Sequence, residues 1–580
     1  MEANAKQSNY SARTARFVPK PAMSIAIQFY DKDGRSHAGY LNEISSTGLK
    51  CLMLNGTSVL RGSRVIDIKL VSPPLELSVP EAEIIRIERL VVESVPSNFR
   101  VAVLAFTNMQ QTTLERLQPF LDPPPYLTGE LAGDYAVGGA AEIQAEEHSA
   151  LDFYRVDSAD LFEKCDRFYE MIKDLQQKQL YQTMYRVTLT SGLDHRIIAF
   201  NPITKREEEL ICFDSNSYFS LHRHPRVIDA TEKALRKVGY GTPSSQLLCG
   251  TNRYLRELEE VISDFHGRED TLVFPSGYGA NSGIITGLLR KKDIVIRDRF
   301  SHTSIHDACS AADCQRNYTY PHLDFNRLEA LLSEADADEG CKGKLVVSDG
   351  VFSMHGCIVP LPSLLEICRR HNAKLMLDEA HSVGVIGPNG KGVEDHFNLP
   401  GAVDILMGTF SKAPGTSGGY VTGKKELIYY LRFFARSAVF TASLPAATCA
   451  GITEAFRIIT DEPEHRTQLW RNIRVFAPAL KGSGFIVCEP ESPIITVFIG
   501  TNQLLWAFSR DLFMSGIKCG NVSYPAVPNG EAILRFAVNS RHTDEDLNRC
   551  VEIMTGLGKK FGILNKTEDE IRKIGERMSK

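Results

Sequence analysis

The sequence predicts an α/β protein built on a mostly parallel sheet and preceded by a small antiparallel β-barrel. Three observations carry that expectation. From about residue 190 onward, strand-like apolar runs alternate with helical stretches, the pattern of a parallel sheet covered by helices. Two of those runs, Leu375-Met376-Leu377 and Ile405-Leu406-Met407, end in polar residues, as buried strands do when they deliver side chains to a sheet edge. Between Ser24 and Phe106 the runs are shorter and alternating, and Asp33-Gly34 and Asn55-Gly56 break them at turn positions.

Composition narrows the class. A chain of 580 residues has room for several domains. Its 43% hydrophobic and 24% charged content is that of a globular protein rather than a disordered or fibrous one. A net charge of -5 gives no global reason to expect a nucleic-acid partner. The 13 cysteines show no CxxC and no metal-ligand spacing, which fits reduced thiols and a cytoplasmic location and gives no reason to expect a metal. No apolar stretch is long enough to span a bilayer, and MEANAKQSNY lacks the apolar core of a signal peptide.

Taken in order, residues 1–20 are polar and expected to be flexible, and residues 21–121 form the barrel. Its strands are read at Ser24–Phe29, Gly48–Leu54, Arg64–Leu70, Val79–Ile87 and Arg100–Phe106, with a closing helix at Thr112–Leu121. Residues 122–157 are rich in Pro, Gly, Ala and Glu and read as a linker. Ser158–Tyr185 has Leu161, Cys165, Phe168, Ile172 and Leu175 at helical spacing behind a Ser158 cap. Helices follow at Arg226–Val238 and Leu255–Phe265. Beyond them Phe274-Pro275-Ser276-Gly277-Tyr278-Gly279 reads as a strand end, a glycine turn and a helix start. Such a turn presents backbone N–H groups at a helix N-terminus, where an anion such as a phosphate is favoured. Further on, Thr453–Ile459, Trp470–Leu480 and Thr543–Leu557 read as helices, and Pro493–Ile499 and Ala532–Val538 as strands. Lys566–Lys580 is a charged amphipathic tail with a solvated face.

The chemistry concentrates where the two apolar runs end. Leu375–Leu377 leads into Asp378-Glu379-Ala380-His381, and Ile405–Met407 into Gly408-Thr409-Phe410-Ser411-Lys412. Ligands of open α/β sheets sit at the carboxyl ends of strands, so a carboxylate, an imidazole and an amine meet there. That trio suits pyridoxal 5'-phosphate, whose aldehyde needs a lysine and whose ring nitrogen needs an acidic partner. Alone, the same three residues also fit an ordinary polar strand edge.

Several ordered blocks surround the trio: Asp214-Ser215-Asn216, Gly250-Thr251, Ser276-Gly277-Tyr278, Ser301-His302, Asp349-Gly350-Val351-Phe352-Ser353-Met354, Asp378–His381 and Thr409–Lys412. Together they resemble the α-oxoamine synthase family of fold-type-I pyridoxal-phosphate enzymes. Its members include 8-amino-7-oxononanoate synthase, 5-aminolevulinate synthase, 2-amino-3-ketobutyrate CoA ligase and serine palmitoyltransferase. The resemblance covers residues 190 to 560. It implies an N-terminal helix and large cofactor-binding domain over 158–440, a small C-terminal α/β domain over 441–562, and a tail over 563–580. It also implies an acyltransferase of lipid or cofactor biosynthesis that condenses an amino acid (Ser, Gly or Ala) with an acyl-CoA or carrier-bound acyl donor. Carbon dioxide is lost and an α-amino ketone is formed.

Roles carry over residue by residue. Lys412 matches the Schiff-base lysine, Asp378 the partner of the ring nitrogen, and His302 the histidine stacked on the ring. His381 and Ser353 match contacts to the ring surroundings. Ser276, Gly277, Tyr278 and Thr409 match phosphate contacts. Thr441 matches a segment that reaches the phosphate from a partner subunit, which implies a homodimer. Asn216 falls in a substrate-binding block, and Arg535 matches the arginine that grips the substrate carboxylate, a task suited to a bidentate guanidinium. Two departures concern the substrate: Leu255 stands where members often have His, and His355 where they usually have an acidic residue. Asp378–Ser382 and Thr409–Lys412 lean toward the long-chain, serine palmitoyltransferase branch.

The N-terminal portion resembles a PilZ domain, the module that binds cyclic di-GMP. The likeness rests on Arg13-Thr14-Ala15-Arg16-Phe17, Glu43-Ile44-Ser45-Ser46-Thr47-Gly48 and Val101–Phe106. The first arginine motif is compressed to Arg13 and Arg16, and Glu43 stands in an Asp/Asn place. Arg13, Arg16, Ser45 and Gly48 are the candidate ligand residues. Two other readings stay open from sequence alone. One is another fold-type-I reaction, such as an aminotransferase or aldolase. The other is a cyclic di-GMP-responsive scaffold with a non-catalytic enzyme fold.

Overall fold

The computed structural model describes residues 156–578, the helix Ala150–Tyr154 and seven strands between residues 16 and 106. The chain divides into two compact units, one N-terminal and one dominated by the residues from Cys165 onward. The strands of the first are β1 (Arg16–Phe17), β2 (Ala26–Asp31), β3 (Ser36–Ser45), β4 (Gly48–Met53), β5 (Arg64–Ser72), β6 (Leu75–Arg89) and β7 (Arg100–Phe106). Every pairing among them is antiparallel, in the order β1-β3-β2-β5-β6-β7-β4, and β3 also pairs with β4. Five of these strands coincide with the runs read from sequence. β3 was not among them, because Ser-His-Ala-Gly-Tyr-Leu-Asn-Glu lacks a clean apolar alternation. Arg16 and Phe17, expected in a flexible segment, pair with Ser45 and Ile44. Arg13, the Thr112–Leu121 helix and residues 122–149 of the linker lie outside the described residues.

The expected helix at Ser158–Tyr185 is two helices, Glu163–Gln177 and Tyr181–Met184. Gln179 takes a left-handed φ of 58°, which ends the first. Ser158 does not cap it. Its Oγ accepts from the Asp160 N–H at 3.0 Å in a local turn.

The larger unit begins its sheets with an antiparallel hairpin, β8 (Arg196–Asn201) and β9 (Arg206–Phe213). The main sheet follows: β10 (Asp270–Phe274), β11 (Ile294–Asp298), β12 (Arg316–Tyr320), β13 (Lys344–Asp349), β14 (Lys374–Asp378), β15 (Ile405–Thr409) and β16 (Gly419–Gly423). The order is β10-β16-β15-β14-β13-β11-β12, parallel except for β16, which runs antiparallel to both neighbours. The sheet forms because its runs are apolar on both faces. Phe274, Val347, Met376 and Met407 pack with Ile284 of the helix Gly277–Leu288 and Ile305 of the helix Thr303–Ala311.

The C-terminal strands β17 (Ile494–Gly500), β18 (Ile517–Val522) and β19 (Ala532–Ala537) build a second sheet, but not alone. β9 pairs in parallel with β18, Ile211 opposite Ile517, so the order is β17-β19-β18-β9-β8. Residues 196–213, which the sequence places with the large domain, therefore belong to the sheet of the small one. A pairing between runs so far apart in the chain leaves no local signature. The tail is also more than a solvated face. Glu568–Met578 is helical, Ile571 is buried, and Gly575 sits so close to Thr501 that a Cβ there would overlap its Oγ1. Among the described residues, no helix is long and apolar enough to cross a membrane.

Candidate active site

β13, β14 and β15 run parallel and end at one sheet edge, in Asp349, Asp378 and Thr409. Asp378 is buried. Its Oδ2 accepts from Asn281 Nδ2 at 2.8 Å and its Oδ1 from the Ala380 N–H at 2.9 Å. Asp349 lies opposite it in register and accepts the His302 N–H at 3.1 Å. Burial and the neighbouring Asp378 charge push the Asp349 carboxyl well above the usual carboxylate range.

Lys412 lies three residues past β15 and is half-buried. Burial and the nearby Arg535 charge lower its pKa, while Asp378 opposes them. His381, in the loop after β14, places Nδ1 2.7 Å from the hydroxyl of the fully buried Tyr218. Burial, then Lys412 and Arg535, hold His381 well below the usual histidine range, and burial pushes Tyr218 up to about 12. Both groups are therefore neutral, sharing one hydrogen. Arg535 on β19 is buried. Its Nε donates to the Ser353 carbonyl at 2.7 Å and Nη2 to Asn216 Oδ1 at 3.0 Å, which fixes the plane of the guanidinium, and the Tyr218 hydroxyl also bears on it.

His302 caps the helix Thr303–Ala311. Its Nδ1 is 2.7 Å from Ser304 Oγ, and its ring is exposed. Ser304 also accepts from Asn281 Nδ2 at 2.9 Å, so a chain of contacts links His302 to Asp378. The turn at Ser276 behaves as the sequence suggests. Its Oγ accepts from the Gly279 N–H at 2.9 Å, and Gly277 and Tyr278 open the helix with N–H groups that have no partner inside it. A Cβ on Gly277 would lie 2.8 Å from Thr409 Oγ1, so only glycine lets the helix start approach the end of β15 this closely. Thr409 Oγ1 donates to the Gly418 carbonyl at 2.9 Å and is 3.0 Å from Ser411 Oγ.

The structure thus gathers Asp378, His381, Lys412, Arg535, Asn216 and Ser353, and it sets Ser276, Gly277 and Thr409 side by side. Tyr278 is half-exposed and donates its hydroxyl to Asp307 at 2.5 Å. Thr441 is not in this group: with Leu247, Leu248 and Phe440 it lines an open depression. Tyr218 and Asn281 were missed as site residues. They stand two residues past the Asp214–Asn216 and Phe274–Gly279 blocks, and only burial and distance reveal their part. Of the two departures, Leu255 is fully buried core, and His355 stacks on Phe300 at 4.6 Å, with burial lowering it to about 4.

This donor set fits pyridoxal phosphate. A buried carboxylate suits a protonated ring nitrogen, and a lysine of lowered pKa suits an aldehyde. The Gly277–Thr409 approach leaves a helix N-terminus for the phosphate, and the buried Asn281 Oδ1 beside Asp378 has no donor among the described residues.

Comparisons agree. The chain is 37% identical over 423 residues to the 4-hydroxy-2,2'-bipyrrole-5-methanol synthase PigH of Serratia sp., covering 73% of this chain and 64% of that protein. The 8-amino-7-oxononanoate synthase 1 of Bacillus subtilis is 36% identical over 362 residues, 62% of this chain and 91% of the enzyme. The serine palmitoyltransferase of Sphingobacterium spiritivorum is 36% identical over 395 residues, covering 68% and 96%. A solved serine palmitoyltransferase of Sphingomonas wittichii superposes with a TM-score of 0.66 at 30% identity, over 70% of this chain and all of the other. Residues 208–554 match the family described as aminotransferase class I and II, and the chain belongs to that family.

Proposed function

We propose that the chain is a pyridoxal-phosphate-dependent acyltransferase of the α-oxoamine synthase type. It condenses a small amino acid with an acyl thioester, releasing carbon dioxide and free thiol and forming an α-amino ketone. The observation that carries this reading is the meeting of Lys412, Asp378 and His381 at the main-sheet edge with a buried, pre-oriented Arg535 from β19. When bound, the cofactor supplies an electron sink for the carbanion formed at the amino acid's α-carbon.

The rest is the work of this chain's side chains. The Ser276–Tyr278 turn and Thr409 hold the phosphate. Asp378, oriented by Asn281, keeps a proton on the ring nitrogen. His302 covers the ring face. Arg535 takes the amino acid's carboxylate next to Asn216. Lys412, its pKa lowered by burial and the Arg535 charge, takes the α-proton and later returns one. The neutral Tyr218–His381 pair adds polar contacts without a second fixed positive charge beside Lys412.

Four further readings rest on this one or on the N-terminal strands. The domains divide as read from sequence, with β8 and β9 added to the small one. The subunit pairs with a copy of itself, and Thr441 serves the partner's site. Exposed Leu247, Leu248 and Phe440 around it support that role. The location is cytoplasmic. The first unit is a PilZ-like barrel that takes cyclic di-GMP. In its support, β3 pairs on both sides so that the strand order closes on itself, and Arg16 lies opposite Ser45, which lies opposite Gly48. Calorimetric titration decides the last: heat at micromolar cyclic di-GMP, lost in Arg16→Ala, supports it, and no heat overturns it.

A screen of Ser, Gly and Ala against acyl-CoA chain lengths, reading thiol release, tests the main proposal. Turnover of an amino acid with an oxo acid and no thiol release contradicts it in favour of transamination.

A further inference from the structure

We propose that His224, Glu462 and His465 form a binding site for a divalent transition metal ion of the zinc class. Each offers one ligand atom, and the three atoms lie within 4.8 Å of one another. They come from three rigid positions. His224 directly precedes the helix Pro225–Val238, Glu462 follows the helix Ala446–Asp461, and His465 is in the first turn of the helix Glu464–Gly482.

Glu462 Oε2 and His465 Nε2 are 3.4 Å apart. A tetrahedral zinc with bonds of about 2.0–2.2 Å sets its ligand atoms at roughly that separation. Nδ1 of His224 is buried and has no hydrogen-bond partner among the described residues. His224 thus keeps an imidazole nitrogen free of competing partners within a cluster of an acid and a second imidazole, which suits a metal ligand.

Arg226 bears on the site in two ways. Its guanidinium bonds Glu462 Oε1 at 2.5 Å and Glu454 Oε1 at 2.7 Å. It therefore orients the carboxylate and leaves Oε2 to the metal, as hydrogen-bonded outer partners of ligating carboxylates do, while its charge weakens the affinity. Two imidazoles, one carboxylate and water in the remaining positions are a donor set that suits zinc over calcium or magnesium. Once bound, the ion ties the loop that carries Asn216 and Tyr218 to the junction of two C-terminal helices. No spacing rule reveals this set, since His224 lies in a segment far from Glu462 and His465 in the chain.

The test uses the pyridoxal-phosphate-loaded full chain with cobalt(II) as probe and zinc(II) as competitor. Cobalt d–d bands without a thiolate charge-transfer band are expected at one ion per chain, which separates this site from exposed cysteines such as Cys249. Both His465→Ala and Glu462→Gln change half-buried side chains; each is expected to weaken zinc binding by at least about 10-fold while leaving the circular dichroism spectrum and metal-free turnover unchanged. His222→Ala, whose imidazole bonds Leu193 and Ser217 instead, is expected to leave binding intact. Absence of saturable binding, a thiolate band, or unchanged affinity in both ligand variants overturns the proposal.

Discussion

Lys412 is pulled in two directions. Burial and the Arg535 charge lower its pKa, and Asp378 raises it. Removing either neighbour therefore has a definite sign. Arg535→Gln raises the lysine's pKa and moves the acid limb of cofactor capture by the apoprotein to higher pH; Asp378→Asn moves the same limb to lower pH. Capture rates across pH check both, and two shifts of the same sign contradict the arrangement. Tyr218→Phe leaves His381 Nδ1 buried without its 2.7 Å partner. The expected cost is about 1–3 kcal/mol, which lowers kcat/KM by roughly 5- to 150-fold if it falls wholly on the transition state. Steady-state kinetics beside a urea melt separate the catalytic share from the structural one. Lys412, Asp378 and His381 stand out in the sequence as candidates because their chemistry is carried by residue type. Tyr218 and Asn281 were not, because a phenol or an amide acquires its part only from the burial around it.

At the scale of elements, the start of the Gly277–Leu288 helix depends on one missing methyl group. Gly277→Ala drives a Cβ to 2.8 Å from Thr409 Oγ1 and separates the helix from the end of β15. Cofactor affinity is expected to fall further than thermal stability, as paired cofactor titration and melting of the variant measure. The C-terminal helix makes the converse case. Ile571→Ala, at a fully buried position, is expected to cost roughly 2–5 kcal/mol with kcat unchanged, whereas a merely solvated tail predicts no loss. β14 and β15 could be read because each is a short apolar run closed by a polar residue, whereas β12, Arg-Asn-Tyr-Thr-Tyr, has no such run. β16 escaped because Gly-Tyr-Val-Thr-Gly is framed by glycines, and the hairpin β8–β9 because its sheet partner lies in a distant part of the sequence.

Over the whole molecule, buried ionisable groups give stability two opposing slopes. Burial lowers His266 and His542 to about 3, His306 to about 2 and His355 to about 4. The unfolded chain binds more protons than the folded one below about 6.5, so stability falls as acid is added. Burial raises Glu379 to about 8 and Glu259 to about 7, so there the folded chain holds the extra protons and stability falls as pH rises through that range. Urea midpoints across pH are expected to peak near neutrality, and a monotonic curve contradicts this balance. The reaction itself belongs to the same scale, because it needs the large sheet for the cofactor residues and β19 for Arg535. Its most direct measurement is thiol and carbon dioxide release from an amino acid plus an acyl-CoA. Equimolar release that vanishes in Lys412→Ala is the predicted result. A cofactor-loaded protein that releases neither with any acyl chain length, or one whose Lys412→Ala variant turns over as fast, contradicts the account.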